Sequence, residues 1–501
     1  MEFFLHYNMR ITLRFAAIAA TFLILLDAAH ASAQTRVPRL DPGDCPFQRP
    51  DWAQALKIEC SWLTVPETRS KPSGRTIRLA VAVLHTSTPA GPPLVMVHGG
   101  PGLSGLRIFL PAFRSELAHN RDLVIYDQRG SGYSEPKFCP KYTSARDSAL
   151  LLRTLEEREK FWDRQDRECI AWLHGEGIDV SAYNTVASAA DLIDLRKALG
   201  YEKWDVYSGS YGARLAQEAI RQDPAGIRSV VLASPVTRGP ATQAEVALST
   251  QRALEKVWTQ CAAQPVCSTA FPTVSADFFA LYDDLTKSPY PVTFAREGST
   301  SDTIWLDGRR LLGMIREHML GRPGRLARLP LLLKELRRGD RQRAAQTLVG
   351  YDTTSTLGAQ QIVIHLVNCY DVYGPVFRRM RDSVYATANK VFRNEQLNDC
   401  EKWQTSFADS TEYAPVRTDI PVLLTTGRFD DRTPTEHAKR IAATLAHAYL
   451  FEFPNEGHDA RPVGCHLSIL TQFFDNPSRA PDAACIASIP EVQFVTTWDS
   501  Q

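Results

Sequence analysis

The most informative stretch of the chain is WDVYSGSYGARLA at residues 204–216. Its first four residues have the composition of a short buried strand, and the segment after Gly212 begins a helix whose apolar residues recur at three- and four-residue spacing. Ser210 is therefore predicted on a sharp turn from strand to helix, where small neighbours such as Gly209 are needed because the two backbones come close together. A serine on such a turn is typical of an exposed nucleophile. A glycine-softened turn with a solvent-facing serine is the alternative interpretation.

Strands and helices alternate on both sides of this turn. The predicted strands are residues 75–87, 93–97, 122–126, 204–207, 228–233, 421–427 and 449–453, and an amphipathic helix is predicted at 187–199. Alternation of this kind favours a mostly parallel sheet covered by helices on both faces, which places the chain in the α/β class.

The alternation stops between about Val236 and Ile420, where the pattern is helical. Within residues 306–320, for example, Leu311 and Ile315 fall on the same stripe of a helix with one buried face. We interpret this block as a cap inserted into the sheet domain. The predicted organisation is a sheet domain made from residues 34–236 and 420–501, with a helical cap insertion at 237–419.

The amino terminus has the layout of a secretory signal peptide. Arg10 and Arg14 precede an apolar run at residues 15–26, and Ala31-Ser32-Ala33 offers a small-residue cleavage site. We therefore predict a signal peptide at 1–33 and an exported chain, periplasmic or secreted. The run at 15–26 is too short to span a bilayer comfortably, and no other segment has the about 20 consecutive apolar residues that a span needs. No membrane anchor is therefore predicted after cleavage.

Charge and cysteine content narrow the class of protein further. The formal net charge is +1, which does not favour nucleic acid or an anionic membrane as a partner.

All ten cysteines follow residue 33, and an even number in an exported chain favours disulfides. They have no C-x-x-C spacing and do not cluster with histidines, so neither a metal site nor a cofactor is predicted. We pair sequence neighbours: Cys45 with Cys60, Cys139 with Cys169, Cys261 with Cys267, Cys369 with Cys400, and Cys465 with Cys485.

An acid and a histidine follow later strands, in the order that a serine nucleophile on this type of turn requires. A serine hydroxyl needs a base to take its proton, and that base needs a carboxylate to fix its tautomer. The strand at 421–427 ends in RFDDRTP, which contains Asp430, and the strand at 449–453 ends in NEGH, which contains His458. We predict Ser210 as nucleophile, Asp430 as acid and His458 as base. Asp431 is the alternative acid.

A glycine-rich loop, HGGPG at residues 98–102, directly follows the buried strand at 93–97. Glycines leave backbone N–H groups close together and accessible, and acyl transfer needs two such donors for the developing oxyanion. We expect these donors to be the N–H groups of Gly100 and Tyr211. His98 is expected to organise its own loop and not to act as a base. A plain tight turn is the alternative.

Three motifs of the chain together resemble the proline iminopeptidase and tripeptidyl aminopeptidase family of α/β-hydrolases. They are HGGPG at 98–102, DQRGSG at 127–132 and GSYG at 209–212, and the match extends over residues 58–486. The resemblance is closest to the exported tripeptidyl aminopeptidase branch. It implies a serine exopeptidase that acts at free amino termini, with the helical cap closing one end of the site. It also implies the same roles for Ser210, Asp430 and His458.

Recognition of a free amino terminus requires a carboxylate, because a buried ammonium group without a partner is costly. Glu245, Glu317 and Asp371 in the cap are the predicted substrate-binding candidates, although each also fits an ordinary solvated acid. Eight arginines between residues 309 and 338 could attract an acidic substrate, but we favour a solvated face.

The sequence therefore predicts an exported serine aminopeptidase whose partner is a peptide substrate. An exported carboxylesterase with the same three residues, acting on a small ester, is the first alternative. A hydrolase fold without catalytic activity that serves as a binding protein is the second.

Overall fold

The computed structural model describes residues 37–294, 302–353, 361–393, 400–458 and 462–498. The predicted signal peptide at 1–33 lies outside the described residues. Within them, no helix is both long enough and apolar enough to cross a bilayer.

Strands and helices are numbered separately along the chain. The strands are β1 (Arg39–Pro42), β2 (Ile58–Pro66), β3 (Thr76–Leu84), β4 (Leu94–Val97), β5 (Leu123–Tyr126), β6 (Trp204–Gly209), β7 (Ile227–Ala233), β8 (Tyr290–Phe294), β9 (Asp302–Leu306), β10 (Val422–Gly427) and β11 (Ala448–Phe453). The α-helices are α1 (Gly105–Phe109), α2 (Pro140–Leu150), α3 (Leu155–Gly175), α4 (Thr185–Ala198), α5 (Tyr211–Gln222), α6 (Ala241–Ala244), α7 (Val246–Ala263), α8 (Pro265–Ala270), α9 (Val274–Lys287), α10 (Gly308–His318), α11 (Pro323–Leu326), α12 (Leu329–Arg338), α13 (Arg341–Thr353), α14 (Gln361–Asp371), α15 (Pro375–Thr387), α16 (Cys400–Trp403), α17 (Thr435–Ala442) and α18 (Gly464–Asp475).

Among the described residues, nine strands form one sheet in the order β1-β2-β3-β5-β4-β6-β7-β10-β11. The pairs β1–β2, β2–β3 and β3–β5 are antiparallel, and the remaining pairs are parallel. The prediction of a mostly parallel sheet is confirmed. Because the carboxyl ends of parallel strands meet at one edge, the loops after β4, β6, β10 and β11 lie together there.

The central strands are buried on both faces, which explains their continuous apolar sequences. In β4, Val95 and Val97 belong to one core cluster, and Leu94 and Met96 belong to the cluster on the opposite face. This alternation is the two-residue period of a strand. Helices α4 and α5 cover the first face, and α1 and α18 cover the second. Helices on both faces are therefore confirmed.

The block between β7 and β10 is mostly helical, as predicted. Residues 308–318 form α10, in which Leu311 and Ile315 are buried in a core separate from those of the sheet. The block also contains an antiparallel pair, β8 and β9, which the sequence analysis did not anticipate. Each of these strands is only five residues long, and Pro291 interrupts the first, so the alternation is too short to stand out.

The packing crosses the predicted cap boundaries in two places. Helices α14 and α16 contribute Leu366 and Trp403 to a core cluster of the sheet. In the opposite direction, the carboxyl-terminal segment buries Val492 and Phe494 in the core of the cap. The side-chain amides of Gln260 and Gln264 in the cap both donate to the carbonyl oxygen of Val492, at 3.1 and 2.7 Å.

All five predicted disulfides are confirmed. They join Cys45 to Cys60, Cys139 to Cys169, Cys261 to Cys267, Cys369 to Cys400, and Cys465 to Cys485.

Candidate active site

Ser210 occupies the turn between β6 and α5 with φ 54° and ψ −121°. A positive φ is costly for a residue with a side chain, and such strain is found mainly where a side chain must be presented in a fixed direction. The Ser210 N–H donates to the carbonyl oxygen of Ala233 on β7 at 2.9 Å, which anchors the turn to the sheet. A Cβ on Gly212 would lie 2.5 Å from the carbonyl oxygen of Val97. The small residue is therefore required by the close approach of α5 to β4.

Ser210, His458 and Asp430 form a continuous hydrogen-bonded chain. His458 Nε2 lies 2.9 Å from Ser210 Oγ, and His458 Nδ1 lies 3.1 Å from both carboxylate oxygens of Asp430. Asp430 is fully buried, whereas 11% of the His458 side chain is exposed. The structure thus brings together three residues that come from loops after β6, β10 and β11. A hydroxyl, an imidazole and a carboxylate in this order can pass a proton from serine to histidine while the carboxylate stabilises the imidazolium.

Asp430 is held in the ionised form by His458 and by its own loop. Its Oδ1 accepts hydrogen bonds from the N–H groups of Arg432 and Thr433 at 2.9 and 2.7 Å, and Thr433 Oγ1 lies 2.8 Å from Oδ2. Burial favours the neutral carboxyl, but His458 and the Thr433 donors outweigh it and hold the pKa of Asp430 well below its usual range. Thr433 was missed by the sequence analysis. An acid followed three residues later by threonine in a loop is the signal that could have indicated it.

Asp431 faces away from His458. Its Oδ2 accepts hydrogen bonds from Arg316 Nε at 2.6 Å and from Thr250 Oγ1 at 3.3 Å, and both donors belong to the cap. Of the two acids that the sequence left open, Asp430 is therefore the partner of the histidine.

The glycine loop lies directly against Ser210. A Cβ on Gly99 would lie 2.8 Å from Ser210 Cβ and 2.9 Å from the carbonyl oxygen of Gly209. Gly100 has φ 110°, a conformation that L side chains rarely adopt. The close approach at Gly99 and the positive φ at Gly100 explain why the loop contains consecutive glycines.

His98 is buried at the start of this loop and hydrogen-bonds within it. It is 1% exposed, and its Nδ1 lies 3.0 Å from the carbonyl oxygen of Gly99. Burial lowers the pKa of His98 to about 4. The ring is therefore neutral near pH 7. This position agrees with the expectation that His98 organises its own loop.

The DQRGSG motif supports the site through neighbouring loops, and its Gln128 side chain donates to the carbonyl oxygen of His98 at 2.9 Å. Asp127 accepts hydrogen bonds from the N–H groups of Leu106 and Tyr133, at 3.1 and 2.7 Å, and so ties the first turn of α1 to the motif. Arg129 pairs with buried Asp191 on α4 at 2.7 Å. The motif therefore braces the loops behind the glycine loop.

Two of the predicted substrate-binding acids in the cap are paired with arginine side chains. Glu245 accepts hydrogen bonds from His437 Nε2 at 3.1 Å and from Arg440 Nη1 at 2.9 Å. Burial favours its neutral form, but these donors lower the pKa of Glu245 to about 2. Glu317 pairs with Arg432 at 2.5 Å.

Asp371 is the third predicted acid. It accepts a hydrogen bond from the Thr185 N–H at 3.3 Å and lies 3.7 Å from Arg214. Burial raises the pKa of Asp371 to about 6, although Arg214 and Thr185 oppose the rise. The three acids pair with Arg440, Arg432 and Arg214, and none of these partners is Ser210, His458 or Asp430.

No group of three or more His, Cys, Asp or Glu side chains within the described ranges could hold a metal ion.

Family comparisons agree with this geometry. A family model described as "alpha/beta hydrolase fold" matches residues 92–291, which include the glycine loop and Ser210. The chain has the α/β-hydrolase fold. A second model, described as "TAP-like protein", matches residues 385–485, which include Asp430 and His458. The family resemblance predicted from the motifs is confirmed.

Curated relatives of this α/β-hydrolase include two peptidases. It is 30% identical over 220 residues to the tripeptidyl aminopeptidase of Streptomyces coelicolor, a match that covers 42% of this chain and 40% of the relative. It is 27% identical over 239 residues to the serine protease Hip1 of Mycobacterium tuberculosis, covering 44% of this chain and 46% of the relative. These matches span less than half the length of either relative. Among solved structures, the proline iminopeptidase of Mycobacterium smegmatis is 16% identical and aligns with 83% of this chain and 98% of its own, with a TM-score of 0.36.

Proposed function

We propose that this α/β-hydrolase is a serine aminopeptidase that forms an acyl-enzyme at Ser210. The observation that carries the proposal is the hydrogen-bonded chain from Ser210 Oγ through His458 to buried Asp430. The glycine loop packed against Ser210 supports acyl transfer, because that chemistry needs backbone donors beside the nucleophile. The names of the peptidase relatives support an amide as the bond that is cleaved.

Each proposed step follows from an atom in this arrangement. His458 Nε2 takes the proton of Ser210 as Oγ attacks the carbonyl carbon, and the N–H groups of Gly100 and Tyr211 stabilise the oxyanion. His458 then gives that proton to the leaving amine as the carbon–nitrogen bond breaks. Water repeats the sequence on the ester that remains, so the acyl group leaves as a carboxylic acid and Ser210 regains its proton. Asp430 stays ionised throughout and stabilises the imidazolium.

A carboxylesterase with the same three residues is the second candidate. One observation favours it: Glu245, Glu317 and Asp371 each already lie beside an arginine. An aminopeptidase that used one of them for the substrate ammonium group would have to share or displace that arginine. An ester substrate imposes no such requirement.

We also propose that the protein is exported. The signal-peptide pattern at residues 1–33 and the pairing of all ten cysteines in disulfides support this location, because disulfides persist in oxidising compartments.

The decisive assay compares hydrolysis of an aminoacyl β-naphthylamide, its amino-acetylated counterpart and a simple ester of the same acyl group. An aminopeptidase cleaves the free-amine amide and loses most of that activity when the amine is acetylated. An esterase cleaves the ester and is indifferent to acetylation. Ser210→Ala should abolish whichever activity is found, whereas Ser268→Ala, at a serine of α8 outside the site, should leave it unchanged. Equal hydrolysis by Ser210→Ala and the wild type would refute the acyl-enzyme.

A further inference from the structure

Two consecutive residues of α10 in the cap pair with two consecutive residues of the loop that carries Asp430. We call residues 428–434 the acid loop. Arg316 Nε lies 2.6 Å from Asp431 Oδ2, and Glu317 Oε1 lies 2.5 Å from Arg432 Nη2. The positive charge comes first on the helix and second on the loop. We call these two crossed ion pairs the clasp.

The clasp reaches Asp430 through the backbone of the acid loop. The carboxylate of Asp430 is oriented by the N–H groups of Arg432 and Thr433, at 2.9 and 2.7 Å. Asp431 and Arg432, whose side chains are anchored in the cap, lie directly before those donors. A shift of Asp431 would therefore move the hydrogen bonds that aim Asp430 at His458.

The two pairs differ in strength because they differ in exposure. The Asp431 side chain is 1% exposed and that of Arg316 is 24% exposed, so little solvent screens this pair. Removing the arginine would leave a buried carboxylate uncompensated, which is strongly unfavourable. Glu317 and Arg432 are 56% and 34% exposed, and pairs at such sites contribute little. Arg316 is therefore the principal member of the clasp.

The cap also contacts the acid loop and the loop that carries His458 through backbone groups. Lys256 Nζ on α7 donates to the carbonyl oxygen of Arg428 at 3.0 Å. A Cβ on Gly457, the residue before His458, would lie 2.3 Å from the carbonyl oxygen of Leu320. The two loops that bring the acid and the histidine to Ser210 are thus both seated against the cap.

From these contacts we propose that Arg316 is a positioning residue for hydrolysis, acting through Asp431 on the orientation of Asp430. On this account the cap contributes to the chemistry and does more than limit access to Ser210. The inference rests on the proposed roles of Ser210, Asp430 and His458.

The test compares Arg316→Met and Arg316→Lys with Arg337→Met. Arg337 is the matched control because it is a cap arginine of nearly the same exposure, 23%, and pairs at 3.2 Å with Asp277, a partner within the cap. Two readouts are needed: kcat and KM for the aminoacyl β-naphthylamide, and the rate at which a small fluorophosphonate labels Ser210. The reagent carries no peptide, so its rate reports the nucleophile and not substrate binding.

Arg316→Met should lower kcat and the labelling rate by about 10- to 100-fold with little change in KM, the size expected for a misplaced catalytic group. Arg316→Lys keeps the charge and should recover most of both rates. Arg337→Met should leave both rates unchanged even if it lowers stability. An effect confined to KM, or an equal loss in Arg337→Met, would overturn the proposal.

The exposed pair provides a second test in which folding is not at risk. Glu317→Arg places like charges at Arg432 and should slow labelling, and adding Arg432→Glu restores opposite charges and should recover the rate. Labelling that is unaffected by the single change would overturn the role of the Glu317–Arg432 pair in the clasp and leave Arg316 as its only contributing member. Failure of the proposed acyl-enzyme at Ser210 looks different, because the wild type would then not be labelled at Ser210 at all.

Discussion

The sheet and the cap differ in how they place charged side chains. In the sheet, Ser210, Asp430 and His458 lie one, three and five residues after the ends of β6, β10 and β11, so parallel pairing brings them to one edge. In the cap, Glu245, Glu317 and Asp371 lie on or beside helices and are placed by pairing with side chains of other elements. Strand ends therefore carry function that can be inferred from sequence order. Helical insertions carry function that depends on tertiary contacts.

Removing the charge from each of the two neighbouring acids in turn is expected to give the largest difference in kcat between the sheet and the cap. Asp430 faces His458 in the sheet, whereas Asp431 faces Arg316 in the cap. Asp430→Asn should lower kcat by about 10⁴-fold, because an amide in place of the carboxylate favours the wrong imidazole tautomer. Asp431→Asn should cost far less. Steady-state kinetics on the two purified variants measure the difference, and equal losses would contradict the assignment of Asp430 as the acid.

Replacing a glycine by alanine is expected to give the next largest difference in kcat between the glycine loop and the cap. In Gly99→Ala the new Cβ would lie 2.8 Å from Ser210 Cβ, so the glycine loop must move. We expect kcat to fall by about 10²- to 10³-fold, the usual loss when an oxyanion donor is displaced.

Gly313→Ala is the control for this change, because nothing lies within 4 Å of its Cβ position in α10. It should leave kcat unchanged and stabilise the helix by up to about 1 kcal/mol. A fully active Gly99→Ala enzyme would show that the glycine loop does not bear on the chemistry.

The third prediction compares the free energy of unfolding after loss of one disulfide in the sheet and one in the cap. Cys139 and Cys169, which pack in a core of the sheet, are 30 residues apart, and Cys261 and Cys267 in the cap are 6 apart. The chain-entropy model predicts losses of roughly 3.7 and 2.4 kcal/mol, respectively, in the free energy of unfolding. Urea denaturation of the two double-alanine variants measures both values. A larger loss for the cap disulfide would indicate that native packing, and not loop closure, dominates.

The smallest expected change in kcat concerns Thr433. Its Oγ1 lies 2.8 Å from Asp430 Oδ2 and 3.0 Å from His458 Nδ1. Thr433→Val keeps the shape and removes the hydroxyl. We expect kcat to fall by about tenfold, the cost of one hydrogen bond to a charged group. Thr347→Val, at a half-buried threonine of α13, is the control and should not change kcat. An unchanged rate in Thr433→Val would mean that the backbone donors alone orient Asp430.

Much of the sheet and its site could be predicted from the sequence. Short apolar runs marked the strands because buried parallel strands need them, and the order of Ser210, Asp430 and His458 indicated the edge at which they meet. Neighbouring cysteines paired as predicted. The two members of each pair are at most 31 residues apart in the sequence, so each disulfide is a local link.

The contacts that the sequence could not reveal join distant segments. Arg316 and Asp431 are 115 residues apart, and no local pattern marks either as a partner of the other. The preference for a solvated face was too simple for Arg316, because its partner is buried. The same limit applied to the cap acids, whose neutralising partners come from elements that only the folded chain brings near.

Covalent labelling tests the central claim most directly. The intact protein is treated with a fluorophosphonate, digested, and mapped by peptide mass spectrometry, with Ser210→Ala and His458→Gln treated in parallel. We predict a single adduct on Ser210, no adduct in Ser210→Ala, and labelling slowed by several orders of magnitude in His458→Gln, since no base then removes the proton. An adduct on a different residue, or labelling of His458→Gln at the wild-type rate, would contradict the account.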